Sequence, residues 1–235
     1  MEREEDEIEV VLVFSVGAFE RQADAKTMRS ERSSTPASRI EVVGGRPFNR
    51  CPLSTPMIII MAGGRSSRMG QEKPVLKVGN RSMLLRVYEE TEKVGETLVA
   101  VSKKAPKTRE LCLREGISFV ETPGNGYVED LIYLLREFGP FVSVSADLPF
   151  LKASDVVAIE KAFDGRTSLT GVLPPKLVPK DLRPVVYRGY AIVGLNAVGT
   201  EGERFFELSN PLLALNVNTP EELKLANRIS RLVGR

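Results

Sequence analysis

The sequence predicts an α/β fold, a mostly parallel, twisted sheet with helices on both faces. Three observations carry that prediction. From Met57 onward, aliphatic runs of strand length alternate with longer segments whose apolar residues recur at helical spacing. That alternation is the pattern of parallel strands joined by crossover helices. The first run, Met57-Ile-Ile-Ile-Met61, breaks abruptly into Gly63-Gly64, as a buried strand does where it leaves a sheet. Hydrophobic residues make up 42% of the 235-residue chain, ample for one large core.

Each element follows from its local pattern. Arg81 to Val94 sets Met83, Leu84, Leu85, Val87 and Tyr88 among charges, an amphipathic helix. Thr97 to Ser102 reads as a strand, Lys107 to Arg114 as a helix and Ile117 to Val120 as a strand. Tyr127 to Phe138 is helical, with Leu131, Ile132, Leu134 and Leu135 on its apolar side, and Phe141 to Ser145 is a short buried strand. A helix starts near Ser154 and reaches Phe163. Ser168 to Leu173 and Pro184 to Val198 read as extended, and Leu212 to Leu215 as a short strand. Thr219-Pro-Glu-Glu222 opens a last helix with a hydroxyl cap, a first-turn proline and early carboxylates, running to about Leu232.

Residues 1–56 differ from the rest. An acidic run to Glu9 precedes the apolar stretch Val10 to Phe19. A signal peptide carries the opposite flanking charge, and ten residues are too few to span a bilayer. Glu20 to Pro56 is rich in Arg, Ser and Pro without helical or strand period, the composition of a disordered tail. The expectation is one catalytic-sized globular domain over 57–235, with 1–56 a disordered extension or a mis-assigned start ahead of Met57.

Composition excludes several chemistries. There is no histidine, which removes Ser-His-Asp and Cys-His hydrolysis and most zinc catalysis. A net charge of +2, with no basic stripe studded by aromatics, argues against a nucleic-acid partner. Cys51 and Cys112 are the two cysteines, neither a disulfide framework nor a zinc site, and they fit a reducing cytoplasm.

Four stretches carry candidate chemistry. In the first, the strand ending at Met61 leads into Ala62, Gly63, Gly64, Arg65, Ser66, Ser67, Arg68, Met69, Gly70 and, at the end, Lys73. Glycines let consecutive N–H groups approach phosphate oxygens, and the cations supply the matching charge. The loop is neither of two common phosphate motifs: five residues separate Gly64 from Gly70, which Gln71 follows, and G-x-G-x-x-G is absent. The second stretch is Val142-Ser-Val-Ser-Ala-Asp-Leu-Pro-Phe150, with Asp147 at a strand end, placed like a metal ligand beside phosphates. In the third, Glu121-Thr-Pro-Gly124-Asn-Gly126, a tight loop opens a helix. For at least one of Glu129 and Asp130 in its first turn the helix dipole is the explanation, worth about 0.3 to 1 kcal/mol each. The fourth, Leu215-Asn-Val-Asn-Thr-Pro-Glu-Glu-Leu223, puts Asn216 and Asn218 on one side of an extended backbone. A turn plus helix cap explains that segment equally well.

The first loop, A-G-G-x-S-x-R-M-G-x-x-K, resembles the signature of the sugar-phosphate and cofactor nucleotidyltransferases. With the other three blocks in order, the region from Met57 onward resembles archaeal adenosylcobinamide-phosphate guanylyltransferases, relatives of molybdopterin guanylyltransferases. The most discriminating block is Gly126-Tyr-Val-Glu-Asp-Leu131. The resemblance implies a Rossmann-like fold and transfer of GMP from GTP to a corrinoid phosphate. Arg68, Lys73 and Asp147 would then be catalytic, with Asp147 the ligand of Mg²⁺. The glycine-rich loop, Ser102, Gly124 and Gly126 would bind the nucleotide. Glu121 is the candidate reader of guanine, because a carboxylate accepts N1–H and N2–H₂ together. Asn196, Asn216 and Asn218 would lie on the acceptor or metal side, and a homodimer is an open option. Molybdopterin guanylyl transfer and a non-catalytic GTP sensor are the alternatives.

Overall fold

The computed structural model describes residues 42–44, 56–63 and 69–234. In chain order the first half comprises β1 (Val42–Val43), β2 (Met57–Met61), β3 (Lys77–Val78), β4 (Arg81–Ser82), α1 (Met83–Thr91), β5 (Thr97–Ser102) and α2 (Pro106–Glu115). The second comprises β6 (Phe119–Thr122), α3 (Tyr127–Phe138), β7 (Phe141–Ser145), α4 (Ala153–Ala162), β8 (Thr167–Leu173), β9 (Val186–Tyr187), β10 (Tyr190–Val198), β11 (Glu201–Glu207) and α5 (Pro220–Leu232). Among the described residues one sheet has the order β1-β6-β5-β2-β7-β10-β8-β11, with β9 on β10. Strands β6, β5, β2 and β7 are parallel, while β10 is antiparallel to both β7 and β8.

The chain thus steps from β2 to β5 to β6 on one side, then crosses back to lay β7 on the other side of β2. That reversal puts the topological switch point between β2 and β7, where a crevice opens beyond the carboxyl ends of the strands. Ile58, Ile59 and Ile60 are all fully buried, because both faces of the central strand are covered. Ile58 and Ile60 pack with residues of α1, α2, α4 and α5, including Val87, Leu111, Val156 and Ala226. Ile59 and Met61 pack on the opposite face against Leu131, Leu134 and Leu135 of α3. No described helix is long and apolar enough to cross a membrane.

Several elements differ from the sequence expectation. Pro184 to Val198 is a hairpin rather than one extended run. Arg188 and Gly189 turn with φ of 48° and 83°, the left-handed pair that matches strand twist. Pro211–Ala214 is a 3₁₀ turn capped by the Asn210 side chain, where Leu212 to Leu215 suggests a strand. The sheet also gains β11, an edge strand whose charges hide its period. Within the extension, Val42–Val43 pair antiparallel with Phe119–Val120. Two β-branched residues there fill the free edge of β6. Most of the extension lies outside the described residues.

Candidate active site

The site is built on strand ends. Ala62 N–H donates to the Ala100 carbonyl at 2.9 Å, and Ala146 N–H donates to the Met61 carbonyl at 3.2 Å. These bonds hold the ends of β5, β2 and β7 side by side. Gly63 makes a close approach here: a Cβ on it would stand 3.1 Å from the Ser102 nitrogen, so that the Ser102 backbone would have to give by a few tenths of an ångström. Gly124 has φ +66°, and its Cβ would meet the Ser102 Cβ at 2.8 Å. Gly63, Ser102 and Gly124 therefore close on one another, and the Ser102 hydroxyl is buried without a hydrogen-bond partner among the described residues. Gly64, Arg65, Ser66, Ser67 and Arg68 lie outside the described residues. Met69 and Gly70 follow them in a turn.

Lys73 begins a 3₁₀ turn with Pro74 behind it. Its ammonium donates to Asp147 Oδ2 at 2.7 Å and to Asn218 Oδ1 at 2.7 Å. The other Asp147 oxygen accepts from Ser145 Oγ at 2.7 Å, and Asp147 is 6% exposed. The Asp147 carbonyl accepts from Val217 N–H at 3.0 Å, which docks the asparagine segment on the end of β7. Glu222 Oε2 accepts from the backbone of Asn218 at 2.7 Å and of Thr219 at 2.9 Å. Asn218 Nδ2 in turn donates to the Asn216 carbonyl, and Asn216 Oδ1 is buried without a partner among the described residues. Side chains 74 and 145 positions from Lys73 thus share its ammonium group.

Other expected residues stand apart from this cluster. Arg109 Nε pairs with the Glu121 carboxylate at 2.9 Å. Asn196 lies within the sheet opposite Ser143, and its Oδ1 accepts from Gly171 N–H at 3.2 Å where the β8–β10 register shifts. Gly126 is extended at the start of α3, and its carbonyl accepts from Asp130 N–H. Asp130 is buried and accepts from Thr122 Oγ1 at 2.9 Å and Gly124 N–H at 3.0 Å. Burial pushes its carboxyl above the ordinary value of 3.8, against the pull of those two bonds. Its role is to hold the loop that carries Gly124 against Ser102.

Two positioning residues escaped the sequence reading. Glu72 accepts from Lys107 N–H at 3.0 Å, Thr108 N–H at 2.7 Å and Thr108 Oγ1 at 2.7 Å. A carboxylate from the neighbouring loop thus caps α2, whose own N-cap is Ala105. Ser145 is the other. Its signal is the Ser-x-Asp spacing, whereas Glu72 has no local signal because its partner lies 36 positions on.

Beside Asn218 a cavity of about 220 Å³ opens, lined by Leu182, Arg183, Val185, Ile192, Asn216 and Leu225 among others. Among the described residues no three His, Cys, Asp or Glu side chains gather as a metal cage. Mg²⁺ commonly takes one or two carboxylates plus substrate phosphates and water. Asp147, with the oxygen of Asn218 beside it, fits that sparser set. Together the cluster sets a cation, a carboxylate and amide oxygens at the crevice, groups able to stabilise charge on a ligand.

Comparison with known proteins agrees with this geometry. Residues 58–204 match the model of the MobA-like NTP transferase domain. A curated protein of Aquifex aeolicus, named a probable molybdenum cofactor guanylyltransferase, is 28% identical over 190 residues, covering 70% of this chain and 87% of its own. Among solved structures, a CMP:2-keto-3-deoxy-manno-octonic acid synthetase complexed with CTP has a TM-score of 0.60 at 18% identity, covering 77% of this chain and all of its own. A nucleotidyl transferase from Methanothermobacter has a TM-score of 0.57 at 17% identity, covering 76% and 99%. At those identities the structures show the shared fold. The matched span takes in the crevice, Lys73 and Asp147, and the chain belongs to the family of MobA-like NTP transferase domains.

Proposed function

We propose that the protein transfers GMP from GTP to adenosylcobinamide phosphate, giving adenosylcobinamide-GDP and pyrophosphate in assembly of the cobalamin nucleotide loop. The observation that carries nucleotidyl transfer is the Lys73–Asp147–Asn218 cluster at the ends of β2 and β7. The choice of acceptor rests on the Gly126-to-Leu131 block, read with the other three motifs.

In this reading a phosphate oxygen of the acceptor attacks the α-phosphorus of GTP. The new P–O bond forms as the α–β bridging P–O bond breaks, and pyrophosphate carries the electron pair away. The nucleophile is already ionised near neutral pH, so no general base is needed and a chain without histidine suffices. Catalysis then reduces to in-line positioning and neutralisation of charge. Lys73 supplies positive charge where it develops, and Asp147 and Asn218 hold its ammonium in place. The glycine-rich loop from Gly63 to Arg65, with Arg68, is assigned to the phosphates by its sequence. Ser102 and Glu121 face the base, with Gly124 letting the loop approach. Mg²⁺ held by Asp147 would draw charge from the phosphates.

A second reading, guanylyl transfer to molybdopterin, is favoured by the Aquifex aeolicus relative. Pyrophosphate release from GTP, compared between the two acceptors, separates them. Release that requires adenosylcobinamide phosphate supports the proposal, and release that requires molybdopterin replaces it. GTP binding with release from neither acceptor would make the protein a nucleotide sensor.

A further inference from the structure

We infer that Lys104 and Asp130 are positioning residues of the nucleotide site: between them they fix Gly124 over Ser102, and so set the affinity for the guanine nucleotide. This rests on the transfer reading above and adds to it how the base side of the crevice is held in shape.

Gly124 is held at both of its backbone polar groups by charged side chains from two other elements. Its N–H donates to Asp130 Oδ1, in the first turn of α3, at 3.0 Å. Its carbonyl accepts from Lys104 Nζ at 2.7 Å. Both bonds are charge-assisted, roughly twice as strong as neutral ones. The other Asp130 oxygen accepts from Thr122 Oγ1 at 2.9 Å, so α3 grips the loop on either side of Pro123. How closely the loop is pressed shows at Gly124 itself. Its φ is +66°, and a Cβ there would stand 2.8 Å from the Ser102 Cβ.

Ser102 and Lys104 belong to one turn. Ala105 N–H donates to the Ser102 carbonyl at 2.9 Å, which closes residues 102–105 at the end of β5. Ser102 thus meets Gly124 with its side chain, while Lys104, two positions on, takes the Gly124 carbonyl. Thr122 stands beside Ser102 in the parallel ladder of β5 and β6. The turn after β5 and the loop after β6 are therefore held together as one unit.

That unit presents the Ser102 hydroxyl. Ser102 is 4% exposed, and its Oγ has no hydrogen-bond partner among the described residues. A buried polar atom left in that state costs about 1–3 kcal/mol, which a ligand that hydrogen-bonds it recovers. Glycines flank it on two sides, Gly63 at the end of β2 and Gly124 on the loop, so backbone rather than side chain lies beside the hydroxyl. The two ties differ in exposure. Asp130 and Thr122 are buried and Lys104 is exposed. Water competes for the outer bond and not for the inner pair, which makes Lys104 the weaker tie.

Calorimetry of GTP and GMP binding to Lys104→Met and Asp130→Ala tests the assignment. Lys104→Met is expected to raise both Kd values about three-fold and Asp130→Ala about ten-fold, each by the same factor for the two nucleotides. A direct contact of Lys104 with phosphates would instead weaken GTP far more than GMP. In transfer kinetics the loss should fall on the KM for GTP rather than on kcat. In a Ser102→Ala background neither substitution should weaken binding further, because both act through that hydroxyl. Lys104 is exposed, so Lys104→Met keeps the test decisive even where Asp130→Ala loses stability. An unchanged Kd in Lys104→Met, a loss confined to GTP, or losses that add to that of Ser102→Ala overturn the assignment and leave the transfer reading intact. Wild-type protein that binds no GTP removes both together.

Discussion

Lys73 concentrates the account in one ammonium group. It holds Asp147 and Asn218 at 2.7 Å each, in a crevice where displaced water would otherwise screen charge. Removing a positioned donor of this kind costs about 10²–10³ in rate. Lys73→Ala is therefore expected to lower kcat by that factor while weakening GTP binding far less, as read by turnover assay and calorimetry. Equal, small losses in both would mark Lys73 as a binding residue only. The convergence itself was partly legible. Each of Lys73, Asp147 and Asn218 sits in a motif with a recognisable spacing, but their shared hydrogen bonds span up to 145 positions. Glu121 shows the opposite limit: its strand-end position is readable, while its pairing with Arg109 from the adjacent helix is not.

At the scale of elements, two carboxylates tie the loops of the site to helices. Glu72 caps α2 from the residue beside Lys73. Glu72→Gln keeps one acceptor oxygen but loses the charge at the helix N-terminus. The expected loss is about 1–2 kcal/mol, a fall of about 2–4 °C in Tm per kcal/mol. A fall in kcat should accompany it, because the Lys73 backbone is no longer anchored. A variant with wild-type Tm would show that the cap is idle.

Asp130 gives a pH signature. Its folded-state carboxyl is raised above 3.8 by burial, so the folded protein binds the proton more tightly than the unfolded chain. Its contribution to stability is full below the unfolded value and is lost as pH rises through the folded one. The stability advantage of wild type over Asp130→Asn should therefore shrink as pH rises from the unfolded value of 3.8 through the raised folded one, measured by urea unfolding. An advantage that grows with pH would contradict the assignment. Strand β5, helix α3 and strand β7 match their sequence expectation end to end, because each is an uninterrupted apolar or amphipathic run. Strand β11, Glu201-Gly-Glu-Arg-Phe-Phe-Glu207, escaped it because an edge strand carries charge where a central one carries aliphatics. The run Leu212 to Leu215 misled because a short apolar stretch after Pro211 is compatible with either a strand or a turn of helix.

For the whole molecule, the central strand sets both stability and site. Ile59 is fully buried between β5 and β7, and Ile59→Ala is expected to cost about 2–5 kcal/mol. Leu232→Ala, at 81% exposure, should change stability by no more than about 0.5 kcal/mol. Denaturant midpoints for the two variants check that contrast, and similar losses at both positions would contradict a core centred on β2. The same strand ends at Met61 and delivers Gly63 to the switch point, beside Ser102. The most direct measurement there follows the α-phosphate. With GTP radiolabelled at the α-position, the label should move into the corrinoid product as unlabelled pyrophosphate is released. Label that stays in free GTP, GDP or GMP while corrinoid and protein are both present would contradict nucleotidyl transfer to this acceptor.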